Sequence, residues 1–170
     1  MPLAAVVTTN QIASSFETTG VEYFNTFAGS PVCTAAGLSM LHVLSNENLQ
    51  ENAESVGAYL VQLLHELQSK SEIIGDIRGS GLFIGVELVR DNSTLEPATT
   101  ETSFICSVLK GKYKILTSVD GPHDNVIVIK PPMVFSKEDA LLFVSCLEKA
   151  LMEDLPLSKD NLEALGKTPT

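Results

Sequence analysis

Ile73-Ile74-Gly75-Asp76-Ile77-Arg78-Gly79-Ser80-Gly81-Leu82-Phe83-Ile84-Gly85-Val86-Glu87-Leu88-Val89 decides between two folds. A dinucleotide-binding loop, with a parallel sheet around it, would need a third glycine three places after Gly81 and a helix directly behind. Gly85 comes one place too late, and the strand-like run Leu82–Val89 stands where that helix should begin. The segment therefore reads as two strands, Ile73–Ile77 and Leu82–Val89, joined by a tight hairpin through Arg78-Gly79-Ser80-Gly81. An antiparallel sheet follows from that reading.

Elements on either side fit an α/β chain. Leu49, Ala53, Val56, Leu60, Leu63, Leu64 and Leu67 recur at three- and four-residue steps, which predicts an amphipathic helix. Pro31–Leu44 is apolar on nearly every face and is expected to be buried all round. Thr99–Gly111 reads as a helix, Ile115–Ser118 and Val126–Lys130 as strands, and Asp91–Thr100 as a polar connection. Ser136-Lys137-Glu138-Asp139 before Leu141, Leu142, Val144, Leu147 and Leu151 is a capping box with Asp139 in the usual Glu place. Pro2–Thr9 reads as an apolar strand that needs neighbours.

Composition excludes several classes. The chain has 170 residues, 44% hydrophobic, and a net charge of -10 with no Lys/Arg cluster, which argues against nucleic-acid or anionic-membrane partners. Cys33, Cys106 and Cys146 are far apart and form no CxxC pair, so neither a disulfide framework nor a zinc site is expected. His42, His65 and His123 share no ligand spacing, and Ser30 lacks a nucleophile-elbow frame. The apolar runs Ala35–Leu44 and Leu82–Val89 are too short to span a bilayer.

One stretch suggests ligand chemistry. In Tyr23-Phe24-Asn25-Thr26-Phe27-Ala28-Gly29-Ser30-Pro31, Gly29 permits backbone angles closed to other residues, Ser30 suits an N-cap and Pro31 suits the first helical position. Free N–H groups at such a helix start attract phosphate. An ordinary capped helix is the competing reading.

The order of segments carries a resemblance. Pro2–Thr9, Glu22–Val32, Gly75–Gly85, Asp120-Gly121-Pro122-His123 and Lys130-Pro131-Pro132-Met133 resemble the carboxy-terminal part of a class III aminotransferase, over the chain up to about Leu151. The Asp-Gly-Pro and Lys-Pro-Pro-Met elements are most similar to the phospho-lyase branch, which acts on ethanolamine phosphate or 5-phosphohydroxy-L-lysine and is described as alanine-glyoxylate aminotransferase-like. Val21–Phe27 and Gly29-Ser30-Pro31 lean toward the hydroxylysine member.

The resemblance implies a fold-type I pyridoxal-phosphate enzyme. Residues 1–71 would end the large cofactor domain and supply linking helices, 72–155 would form a small α/β domain with a mostly antiparallel sheet, and 156–170 a disordered polar tail. It also implies that Thr26 gives its hydroxyl to the phosphate of pyridoxal 5′-phosphate held by a second subunit, in a homodimer or higher assembly. The Schiff-base lysine of the family would lie upstream of Met1, so no catalytic residue is assigned and the chain is expected to be inactive alone. Any targeting region is likewise absent, leaving the mitochondrial matrix or the cytoplasm as expected compartments.

Substrate recognition departs from the family pattern. In the amino-acid-handling relatives an arginine three places before the first of two prolines grips an α-carboxylate, and the phospho-lyase branch tends to have lysine there; here that place is Val128, which matches neither. Lys130 reads as a structural marker of the family, with a basic residue near a phosphate-bearing substrate as the alternative, and no catalytic role is assigned to it. A true class III aminotransferase, a non-catalytic partner docking on a full-length subunit through the Thr26 loop and Pro31–Leu44, and a free-standing α/β domain are the alternatives. Exposed apolar surface is expected around Val6, Val32 and Ala36.

Overall fold

The computed structural model describes residues 2–157, so the expected tail lies, from residue 158 onward, outside the described residues. The chain divides into two compact units, one ending at Asn48 and one beginning at Leu49.

In the first unit, Thr9 caps helix α1 (Asn10–Glu17), its hydroxyl accepting from the amide of Ile12 at 3.5 Å. Helix α2 (Pro31–Asn46) starts on a proline, whose missing N–H costs nothing there. Two expectations are corrected here. Pro2–Thr9 is not a strand, because every strand among the described residues lies between Ile74 and Ile129 and none offers it a ladder. Nor is α2 buried all round: Val32, Leu38, Met40 and Leu41 are each more than half exposed, and no described residue before Leu49 is buried. An apolar helix buries itself only against a partner surface, and this unit has no sheet to offer one. The expected exposure of Val6, Val32 and Ala36 is found.

The second unit is built on strands β1 (Ile74–Ser80), β2 (Phe83–Asp91), β3 (Glu96–Pro97), β4 (Ser118–Asp120) and β5 (Val126–Ile129). Their order is β1-β2-β5-β4 with β3 on β2, and all pairings are antiparallel. The β1–β2 hairpin closes through Gly81-Leu82, with Ser80 opposite Phe83. Gly81 has a φ of 53°, the glycine-first geometry that a two-residue type II′ turn requires.

Alternation along β2 selects the core face. Ile84, Val86 and Leu88 point inward, facing Ile129 and Ile127 on β5 and Ile77 and Ile74 on β1. Helix α3 (Leu49–Gln68) brings Leu60, Leu64 and Leu67 to this core, α4 (Thr99–Gly111) brings Ile105 and Leu109, and α5 (Lys137–Lys149) brings Phe143 and Leu147. Gln68 closes the α3–β1 connection by donating to the carbonyls of Ile74 and Gly75. The capping box of α5 forms as read: Ser136 Oγ accepts from the Asp139 amide at 3.1 Å, and Asp139 Oδ2 accepts from the Ser136 amide at 3.0 Å.

One strand is displaced from its expected place. Ile115–Ser118 was to pair, but the Ile115 amide is spent on the carbonyl of Leu109 at the end of α4, and Lys114 turns the chain with a φ of 61°. Pairing starts only at Ser118, opposite Val128. After α5 the helix widens into a π-helical turn (Ala150–Asp154) and a short α6 (Leu155–Leu157). Asp154 there accepts from Lys112 Nζ at 2.7 Å and from the Tyr113 hydroxyl at 2.9 Å. No helix among the described residues is long and apolar enough to cross a membrane.

Candidate functional site: a neutral anion loop and the end of the sheet

The loop before α2 is built from its own short-range bonds. Asn25 Oδ1 accepts from the Phe27 amide at 2.9 Å, and the Ala28 amide donates to the Asn25 carbonyl at 3.0 Å, a turn that places Thr26 at its first corner. Gly29 then takes a φ of 67°, and nothing lies within 4 Å of where a side chain would start. Thr26 is exposed, and its hydroxyl makes no hydrogen bond among the described residues.

Ser30 holds the N-cap position, yet its side chain makes no capping bond. Its carbonyl accepts from both the amide and the hydroxyl of Thr34, each at 2.9 Å. The first-turn amides of α2 are thus left without the side-chain cap that Ser30 was expected to supply. A hydroxyl, uncapped helix-end N–H groups and an open glycine form a donor set suited to a phosphate group. The set is neutral, because the first basic side chain in the sequence, apart from histidine, is Lys70.

In the second unit the face of the sheet away from the core carries the remaining candidates. Val128 lies there, 6% exposed, paired with Gly85 on β2 and Ser118 on β4. It offers only hydrocarbon at the place three before Pro131. Arg78, on β1, is held by Asp76 and Glu87 on that face, and at the end of β2, beside α4 and off that face, Arg90 is held by Glu96 and Glu101; both guanidiniums have their charge answered, which pushes both pKa values further up. Lys130, just past β5, has no carboxylate partner among the described residues; its Nζ sits 5.6 Å from the ring centroid of Phe83, itself 60% exposed.

Asn52 escaped the sequence reading. Its side-chain amide donates to the carbonyls of Met133 at 2.7 Å and Phe135 at 3.1 Å, in the turn after Lys130-Pro131-Pro132. Separations of 81 and 83 residues leave no local pattern by which it could be found. No cluster of three or more His, Cys, Asp or Glu suited to a metal occurs among the described residues.

Comparison with known proteins extends this picture. The family model for class-III aminotransferases matches residues 1–151. An alanine–glyoxylate aminotransferase 2-like protein of Drosophila melanogaster is 42% identical over 158 residues, 91% of this chain and 32% of that protein. A solved phospholyase from Arthrobacter, in complex with phosphoethanolamine, is 34% identical with a TM-score of 0.77, covering 86% of this chain and 34% of that one. An amine transaminase from an uncultivated Pseudomonas species, solved in its PLP-bound form, is 31% identical with a TM-score of 0.74, covering 84% and 33%. The chain spans about a third of the length of the curated relatives it matches.

Proposed function

The chain belongs to the class-III aminotransferase family, whose cofactor is pyridoxal 5′-phosphate, and on that premise we propose that it is the carboxy-terminal portion of a phospho-lyase acting on a phosphorylated amine, ethanolamine phosphate or 5-phosphohydroxylysine. The observation that carries the reading is the likeness, in sequence and in fold, to a phospholyase solved with phosphoethanolamine. The mitochondrial matrix or the cytoplasm goes with it as the compartment.

Thr26 is the residue of this chain proposed to meet the cofactor, by donating its hydroxyl to a phosphate oxygen held by a second subunit. Gly29 lets the backbone approach, and the uncapped start of α2 adds N–H groups of the right polarity. The cofactor, when bound, supplies the electron sink that lets a bond next to the substrate amine break. At the sheet end, Val128 offers no charge of its own to an α-carboxylate, which favours ethanolamine phosphate over 5-phosphohydroxylysine, itself an α-amino acid. Lys130 supplies the cation that a phosphorylated substrate needs.

The test is a graft. Residues 2–151 replace the matching segment of the Arthrobacter phospholyase, and release of inorganic phosphate from phosphoethanolamine is assayed with and without a keto-acid acceptor. Phosphate release independent of the acceptor is expected. Acceptor-dependent amino transfer without phosphate release overturns the lyase reading in favour of an aminotransferase.

A further inference from the structure

We propose that Asn52 is a positioning residue: it clamps the turn that follows β5 and thereby holds Lys130 against Phe83 in one geometry. The consequence for substrate rests on the phospho-lyase reading above; the clamp itself does not.

The Phe135 side chain packs against the core, but the backbone of Pro131–Phe135 has little of its own to fix it. Two prolines bring no N–H, and the Phe135 amide bonds back to Pro132 at 2.9 Å, closing the turn on itself. Asn52, one turn into α3, spends both hydrogens of its amide on the carbonyls of Met133 and Phe135. Both partners are pure acceptors, so the NH₂ end must face the turn. Asn52 is partly buried, and its helix is anchored in the core by Leu60, Leu64 and Leu67. The clamp therefore joins a rigid element to a segment of irregular backbone, at the point where β5 delivers Lys130. An aspartate in its place keeps the shape, removes both donors, and sets a charge against two carbonyl oxygens.

The sequence contains no tryptophan, so Val134→Trp, at a position 67% exposed, installs a single reporter in the turn. In that background Asn52→Asp is expected to raise acrylamide quenching of the indole at least twofold while the thermal transition stays cooperative. Unchanged quenching overturns the clamp. Hydrogen exchange at the Phe135 amide gives the same answer without the reporter, with faster exchange expected in Asn52→Asp. In the grafted enzyme the same change is expected to raise KM for phosphoethanolamine about tenfold with kcat within a factor of two. A graft that releases phosphate with KM unmoved by Asn52→Asp overturns the positioning role. A graft that releases none with Asn52 intact counts against the lyase reading instead, and the quenching result still decides the clamp.

Discussion

Gly57 on α3 packs against the backbone of Gly81 in the β1–β2 turn so closely that a Cβ at Gly57 would overlap the Gly81 carbonyl. Alanine for glycine within a helix ordinarily gains about 1 kcal/mol. Here the sign reverses, and Gly57→Ala is expected to cost ~3 kcal/mol by overpacking, read as a lower urea midpoint. Gly81→Ala meets nothing nearer than the Ala53 carbonyl at 3.6 Å. Its cost is only the left-handed backbone, ~1 kcal/mol.

Core and surface leucines should separate cleanly. Leu147 is fully buried, and Leu147→Ala is expected to destabilise the second unit by ~2–5 kcal/mol. Leu41, on α2, is 63% exposed, so Leu41→Ala should change the unfolding free energy by less than ~0.5 kcal/mol, read from urea denaturation. A large loss at Leu41 would mean that α2 is covered in solution.

Acid should loosen the carboxy-terminal turn. The Lys112 ammonium, bonded to Asp154, holds that carboxyl below its ordinary range, against a smaller opposing effect of burial. Lys112 is itself pushed upward and stays charged throughout. A depressed folded pKa means stability present above the unfolded value, about 4, and lost as pH falls through the folded one. Asp154→Asn is therefore expected to lower Tm at pH 7 by ~2 °C, with the difference from the parent shrinking below about pH 4 and lost once the pH has fallen through the folded value.

Thr26→Val keeps the shape of the side chain and deletes its hydroxyl. In the grafted phospholyase it is expected to weaken retention of pyridoxal phosphate about tenfold, about the loss of one hydrogen bond to a charged group. Equilibrium dialysis of the cofactor measures it, independent of turnover. Unchanged retention removes Thr26 from the phosphate contact.

What the sequence showed and what it hid divide along contact range. The Gly81 hairpin, the Ser136–Asp139 box and the α3 stripe were readable because each rests on residues within one turn of each other. Helix α1 was passed over: its only start signal is Thr9, and its Ser/Thr-rich sequence shows no apolar stripe beyond Ile12 and Phe16. The apolar character of α2 was plain, but burial depends on a partner surface that composition does not reveal. Ile115 looked strand-like until the end of α4 claimed its amide. At the candidate site the loop itself pointed to Gly29, Ser30 and Pro31 and Thr26 entered through the family resemblance, whereas Asn52 meets its partners only after the chain has completed the sheet.

The loop around Thr26 contains no lysine or arginine, only hydroxyl and amide donors. Such donors do not titrate between about pH 5 and 8. In its proposed role this part of the chain is a pH-silent contact, open to a mono- or a dianionic phosphate. Any steepness in how anion retention varies with acidity must arise in the anion itself or in the other groups that meet it.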